Sequence, residues 1–310
     1  MDDWFVIANP VAGGSKCARM LPEILELLTR SGISFKKAIS EKREHAVNLA
    51  HEAVKKGYRK FISIGGDGTA NEVVNGLKIH DGIDPLDFTL ALIPAGSGND
   101  WGRSVGISAE HESAVMAIKK GITGIQDICK AKFRTIHGKM AEKLFVNVAG
   151  AGYDADVLFR TERMKQAGRR GSWLYFYNIF TSLFSYKPSL TTVRIDGLEV
   201  IREKALSVNI GIGRYNGGGL MQVPHALLDD GNIAFTFIGD IGKFGIISNL
   251  SRLKTGNIQG IKKVQLLKGK KIEINSESPM LFEADGEALG ETPLYFEVVP
   301  GALRVIKTQY

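Results

Sequence analysis

The sequence predicts a two-part chain: an α/β N-terminal domain with a parallel sheet, then a C-terminal β-sandwich-like domain. Three observations carry the prediction. Up to about Ile128 short apolar runs alternate with helical patterns, and such alternation builds a parallel sheet with helices on both faces. Three of these runs end in glycine-rich loops, and loops after strands open on one edge of such a sheet, where ligands bind. Beyond Ile128 the helical alternation fades into short strand-like runs with turn dipeptides. The expected boundaries are 1–127 and 128–300.

Taken in order, Trp4–Ala8 reads as a strand and residues 9–16, Asn-Pro-Val-Ala-Gly-Gly-Ser-Lys, as a turn. A helix runs to about Arg30, with Met20, Leu21, Ile24, Leu25, Leu27 and Leu28 at helical spacing, and Gly32 stops it. Phe35–Ile39 is a second strand. Ser40 is placed to cap the next helix, with Arg43 where a Glu or Gln is usual, and that helix ends at Gly57. Phe61–Ile64 is a third strand, interrupted by Gly65, Gly66 and Gly68. Thr69 and Glu72 have capping-box spacing, so the glycine turn opens a helix N-terminus. Backbone N–H groups and the positive dipole end there suit a phosphate. Asp67 would repel that phosphate unless Mg²⁺ lay between them, and magnesium favours carboxylates plus substrate phosphate oxygens. A tight βα turn that binds nothing is the plainer alternative. Phe88–Ile93 is a fourth strand, entering Pro94-Ala95-Gly96-Ser97-Gly98-Asn99-Asp100 and a short helix to Gly106.

In the second half, Phe145–Val148, Thr192–Ile195, Ala205–Ile212, Ile233–Ile238, Val264–Leu267 and Lys271–Ile274 read as strands. Asp196-Gly197 and Asp230-Gly231 are hairpin-type dipeptides. Gly217-Gly218-Gly219 and Asp285-Gly286-Glu287 read, on their own, as a loop and a hairpin turn with solvated acids.

The chain has 310 residues, is 44% hydrophobic and 24% charged, and carries a net charge of +7. That balance suits a globular protein with an anionic partner: phosphates, nucleic acid or a membrane surface. Cys17 and Cys129 show no metal spacing and no disulfide framework, which fits a reducing cytoplasm. The acidic start enters a strand at once, unlike a signal peptide. No apolar run reaches the ~18 residues of a membrane span. Neither Gly96-Ser97-Gly98 nor Gly150-Ala151-Gly152 completes the dinucleotide fingerprint, and Gly14-Ser15-Lys16-Cys17 is not a P-loop. No zinc-finger, zipper or RNA-platform motif supports nucleic acid.

Asn9-Pro10-x-Ala12-Gly13, Gly65-Gly66-Asp67-Gly68-Thr69-x-Asn71-Glu72 and Pro94-x-Gly96-Ser97-x-Asn99-Asp100, in that order, resemble the bacterial diacylglycerol kinase-like lipid kinases. The Gly-Gly-Asp-Gly-Thr unit alone is also similar to NAD kinases and, more loosely, phosphofructokinases. Ser97 and Trp101 stand where the lipid kinases usually have Thr and Phe, which keeps a hydroxyl and an aromatic ring.

The resemblance implies ATP- and Mg²⁺-dependent phosphorylation of a lipid hydroxyl in a cleft between two domains. In it Glu287 is the general base, and Asp67 and Asp100 position Mg²⁺ or water. Phosphates rest on the backbone of Gly65, Gly66, Asp67, Gly68, Thr69, Ala70 and Asn71. Asn9, Pro10, Val11, Ala12, Gly13, Ser40 and Ser97 line the nucleotide cleft. Lys16 either neutralises phosphate charge or is solvated at a helix start. A structural Mg²⁺ is implied at the Asp230 side chain and the Leu227 and Asn232 carbonyls. The last strand, Ala302–Ile306, is expected to return to the first domain, so that 301–310 completes it.

Residues 160–186 carry the membrane expectation. Arg160, Arg163, Lys165, Arg169 and Arg170 face only Glu162, and seven aromatics follow between Trp173 and Tyr186. Bases beside aromatics suit an anionic bilayer interface, and a core helix with a solvated lead-in suits the same residues. A second run from Arg252 to Lys271 holds seven Lys/Arg and no acid. The expectation is a cytoplasmic enzyme, peripheral at the inner face of the membrane, with a homodimer left open. A kinase for a soluble substrate such as NAD, and a non-catalytic nucleotide or nucleic-acid binder, are the competing readings.

Overall fold

The computed structural model describes residues 3–77, 82–169 and 173–308. The first half runs β1 (Trp4–Ala8), α1 (Ala12–Arg30), β2 (Phe35–Ile39), α2 (His45–Lys55), β3 (Lys60–Gly65), α3 (Asp67–Leu77), β4 (Thr89–Pro94), α4 (Asp100–Ser104) and α5 (His111–Lys120). β1 pairs in parallel with β2 and β3, and β3 with β4. Val6, Ile7, Phe61, Ile62, Leu90 and Ala91 are all buried, so neighbouring positions on each strand bury side chains on both faces. This is why these strands read as unbroken apolar runs.

Two helix starts differ from the sequence expectation. Glu72 does not reach back to its own helix. Its carboxylate accepts from Glu44 N and Ala46 N, both at 3.1 Å, and so caps α2 from α3. Ser40 does not cap α2, which opens only at His45; its hydroxyl donates to the Lys42 carbonyl at 3.3 Å. A carboxylate from a neighbouring helix satisfies the orphan N–H groups as well as a local cap and matches the dipole.

The second half runs β5 (Thr123–Arg134), β6 (Met140–Phe145), β7 (Val148–Gly152), α6 (Tyr153–Gln166), α7 (Trp173–Ser185), β8 (Ser189–Ile195), β9 (Leu198–Gly211), β10 (Ile233–Gly239), α8 (Gly242–Thr255), β11 (Val264–Gly269), β12 (Lys271–Ser276), β13 (Leu281–Ala284) and β14 (Glu287–Ile306). Its strand pairs are antiparallel and enclose a second core that includes Phe145, Phe235, Phe282 and Phe296. The expected strand Phe145–Val148 is two strands. The Asp285 carboxylate breaks it by accepting Val146 N (2.9 Å), Asn147 N (3.0 Å) and Val148 N (3.2 Å). Asp230-Gly231 is a turn into β10 and closes no hairpin, because residues 212–232 before it are irregular.

β14 joins the two halves. It starts beside the site at Glu287 and ends with Arg304 and Val305 in parallel register with Thr89 and Leu90 of β4. Ala302, Leu303, Val305 and Ile306 pack in the first core. The resulting sheet is continuous, in the order β11-β10-β9-β7-β13-β14-β4-β3-β1-β2. Position 127 lies inside β5, where Ile128 belongs to the first core and Cys129 to the second.

Candidate active site

The loops after β1, β3 and β4 pack on one another through glycines. Gly13 has φ 62°, and a Cβ there would sit 2.9 Å from the Ala95 carbonyl oxygen. A Cβ on Gly96 would collide with the Gly66 Cα. Only residues without side chains allow this approach. Asn9 ties the first loop to the second, its Nδ2 donating to Thr69 Oγ1 at 3.1 Å and its Oδ1 accepting Val11 N at 3.2 Å. Asn99 closes the third loop by accepting Gly96 N at 3.0 Å.

Asp67 and Asp100 meet at Gly98. A Cβ there would lie 3.1 Å from Asp67 Oδ2 and 3.3 Å from Asp100 Oδ2. The Asp67 carboxylate accepts Asp100 N (3.0 Å) and Trp101 N (2.8 Å), which caps α4. Burial pushes the Asp67 carboxyl up, and the Asp100 charge adds to it. Asp100 accepts from Arg103 Nη1 and Gly218 N, each at 2.8 Å, which brings the triple-glycine loop onto the site.

From the other side comes the turn Asp285-Gly286-Glu287 between β13 and β14. Asn71 Nδ2 donates to Asp285 Oδ2 at 2.8 Å and links the glycine-loop helix to this turn. Burial and the Asp67 charge push the Asp285 carboxyl up to about 7, against the four N–H groups that donate to it. Glu287 is gripped by two cations. Lys143 of β6 pairs with one oxygen, and Arg43 of the β2–α2 loop donates to the other through Nε at 3.0 Å and also through Nη2. Burial alone would raise the Glu287 carboxyl, but Lys143 and Arg43 outweigh it and hold the group below its ordinary value.

Asp67, Asp100, Asn9, Gly13, Gly66, Thr69, Asn71 and Glu287 thus sit around one edge of the sheet. Asp230, with Leu227 and Asn232, is elsewhere, where residues 227–232 enter β10. Its carboxylate pairs with Lys268 Nζ at 2.5 Å and accepts Asn232 N at 3.1 Å. The Lys268 ammonium is the cation beside that carboxylate. Among the described residues no three His, Cys, Asp or Glu side chains gather as metal ligands. Arg43, Lys143 and Asp285 were not foreseen as site residues. Asp285 carried a signal in its Asp-Gly-Glu run; Arg43 and Lys143 carried none, because their roles depend on contacts with residues distant in sequence.

The chain matches the diacylglycerol kinase catalytic domain over residues 3–131 and the YegS C-terminal NAD kinase beta sandwich-like domain over residues 147–307. A diacylglycerol kinase of Staphylococcus haemolyticus is 31% identical over 294 residues, 94% of this chain and 84% of that one. A crystal structure of a diacylglycerol kinase from Bacillus anthracis superposes with TM-score 0.71 at 22% identity, over 99% of this chain and 97% of that one. Yeast NADH kinase, complexed with NADH, shares the fold at TM-score 0.54 and 10% identity, over 99% of this chain and 84% of that one.

Proposed function

The chain belongs to the diacylglycerol kinase family, and from that premise we propose that it moves the γ-phosphoryl group of ATP to the hydroxyl of a diacylglycerol-like membrane lipid. The observation that carries the reading is the 2.8 Å bond from Asn71 to Asp285, which sets the Asp-Gly-Glu turn against the phosphate-type loops. The acceptor oxygen bonds to the γ-phosphorus, its proton passes to Glu287, and the bond to the departing ADP oxygen breaks. Phosphoryl transfer of this kind depends chiefly on positioning and charge. A Glu287 held ionised by Lys143 and Arg43 accepts the proton without first losing one of its own.

Asp67 and Asp100 fit Mg²⁺. Asp67 Oδ2 and Asp100 Oδ2 both border Gly98, and magnesium commonly takes one or two carboxylates and fills its other positions with phosphate oxygens and water. Mg²⁺ bound there would supply neutralising charge between the acids and the phosphates. Residues 65–71 and the αL run Gly13, Gly14 and Ser15 would hold the nucleotide. Ser40, Ser97 and Lys16 remain candidates at its edge. A second Mg²⁺ at the Asp230 side chain and the Leu227 and Asn232 carbonyls would share that carboxylate with Lys268, and no step is routed through it.

The lipid must be reached at a bilayer. Among the described residues no helix is long and apolar enough to cross one. The aromatics of α7 divide into two sets. Tyr186, just past its end, packs against Tyr153, whereas Trp173, Tyr177, Phe180 and Phe184 are between 46% and 62% exposed. Their spacing of four, three and four puts them on one helix face. Phe244 of α8 is 91% exposed, and Lys243 beside it stacks on the Phe184 ring at 4.7 Å. With Arg163, Lys165 and Arg169 near the end of α6, this face suits an anionic bilayer. Arg160 is spent on Asp156 at 2.7 Å; Arg170 and the Phe176 side chain lie outside the described residues.

A screen with γ-labelled ATP over vesicles of separate lipid classes tests the reading. Label should appear in a lipid with a free hydroxyl. Label in NAD, with none in lipid, would replace this reading by that of a soluble-substrate kinase.

A further inference from the structure

Among the described residues three cations bond to acids of the reacting centre: Arg103, Lys143 and Arg43. Arg103 Nη1 serves the Asp100 carboxylate at 2.8 Å and the Gly98 carbonyl. Lys143 lies on one oxygen of Glu287, with its side chain only 16% exposed. Arg43 differs in what it leaves over. It grips the other Glu287 oxygen with one edge, Nε at 3.0 Å together with Nη2. A guanidinium carries five N–H donors in a planar fork. Nη1 and the second N–H of Nη2 form its end edge, and Nη1 has no hydrogen-bond partner among the described residues. The side chain is 57% exposed, so the fold does not shut that edge in.

The loop that carries Arg43, residues 40–44, is pinned at both ends to the phosphate-type loops. Ser40 N donates at 2.8 Å to the carbonyl of Ala8, the residue before Asn9. Glu44 N donates at 3.1 Å to Glu72 on the glycine-loop helix. From this nucleotide side the guanidinium reaches the β13–β14 turn, 244 residues away in sequence. Glu162 and Glu44 are the other acids whose charges act on it, and neither forms an ion pair with it among the described residues.

Glu287 keeps room for its own task. A carboxylate offers about four lone-pair sites, and the three N–H groups that reach it from Arg43 and Lys143 leave one for the acceptor hydroxyl. That hydroxyl oxygen attacks the γ-phosphorus, so the guanidinium on Glu287 stands one oxygen away from the group in transfer. We propose that Arg43 is a catalytic residue that binds the γ-phosphoryl group: one edge stays on Glu287 while the end edge donates to the γ-phosphoryl oxygens. The inference rests on the kinase reading above. One planar cation then fixes base and phosphorus relative to each other, and the fork of arginine matches phosphate geometry. It also neutralises charge on the equatorial oxygens as the bond to ADP breaks, which is where phosphoryl-transfer enzymes gain most of their rate.

The test is calorimetry on the full chain with Mg²⁺ and two nucleotides: ADP, and β,γ-imido-ATP, which carries the γ group but does not transfer it. Arg43→Gln should weaken imido-ATP binding by about tenfold or more, the scale of a hydrogen bond to a charged group, and leave ADP binding unchanged. Lys143→Met removes the other cation from Glu287 and should move neither affinity. If Arg43→Gln does not fold, Arg43→Lys decides, because it keeps the charge and loses the fork; it should show the same selective loss. Unchanged imido-ATP affinity, an equal loss for both nucleotides, or the same selective loss in Lys143→Met overturns the inference and leaves the kinase reading standing. A wild-type chain that binds neither nucleotide removes both.

Discussion

Glu283 and Glu287 lie four residues apart on the β13–β14 hairpin, and their surroundings are opposite. Glu287 faces Lys143 and Arg43, and its carboxyl is held below the ordinary value. Glu283 is buried among an amide and backbone, and its carboxyl is pushed up to about 8. Both are withdrawn from water; Glu287 has cations beside it, whereas Glu283 has the Asp154 and Asp285 charges, which act in the same direction as its burial. One hairpin therefore presents an ionised carboxylate to one side and a protonated carboxyl to the other.

Glu287 is the more sensitive of the two acids. Glu287→Gln keeps the shape and removes the base, so kcat should fall by ~10²-fold or more, with ATP binding by calorimetry and the melting temperature close to wild type. Turnover at the wild-type rate would end the assignment. Lys143→Met is expected to act less strongly. It removes one cation from Glu287 while Arg43, Glu162 and Glu72 remain around it. The acid limb of the kcat–pH profile should move upward by about one unit, the lower end of what a neighbouring opposite charge supplies. A uniform loss at every pH would point to a structural role for Lys143.

Stability should separate the two acids in sign. The folded-state pKa of Glu283 is raised, so the native state holds a proton that the unfolded state releases between pH 4.5 and about 8. This group's contribution therefore falls as pH rises through that window. Glu287 is depressed, so its contribution is present above 4.5 and is lost as pH falls through the lower folded value. Glu283→Gln should flatten the decline of melting temperature toward pH 8; an unaltered slope would mean that Glu283 is not buried in solution. The smallest effect belongs to the α7–α8 face, where Lys243 stacks on Phe184 among exposed aromatics. Arg169→Gln and Lys243→Gln, made separately, should each raise the apparent KM for anionic vesicles about fivefold, at ~1 kcal/mol for the one charge removed, and leave a short-chain soluble acceptor unchanged. Equal losses on both substrates would place these residues in the fold instead.

Most of the first half was legible because its information is local. A doubly buried parallel strand reads as an apolar run, and the glycine loops that follow cannot hide. The helices α6 and α8 were not legible. The buried residues of α6, Tyr153, Ala155, Val157, Phe159 and Thr161, alternate along the sequence and imitate a strand. The site was half legible. Asp67, Asp100 and Glu287 sit in motifs, but Glu72 caps a distant helix and Asp285 splits a strand 137 to 139 residues away. Ser207 and Asn209, two apart inside the apolar run Ala205–Ile212, were a visible sign of a polar strand face, and Glu283 before Asp285-Gly286 was another.

The kinase reading is tested most directly by the stoichiometry of one reaction. The full chain is incubated with ATP, Mg²⁺ and vesicles containing a neutral diacylglycerol, and phospholipid product and ADP are quantified together by mass spectrometry. One phosphorylated lipid should appear for each ADP formed, with both lost together in Glu287→Gln. ADP formed without phosphorylated lipid, or a Glu287→Gln variant that makes both at the wild-type rate, would contradict the kinase reading.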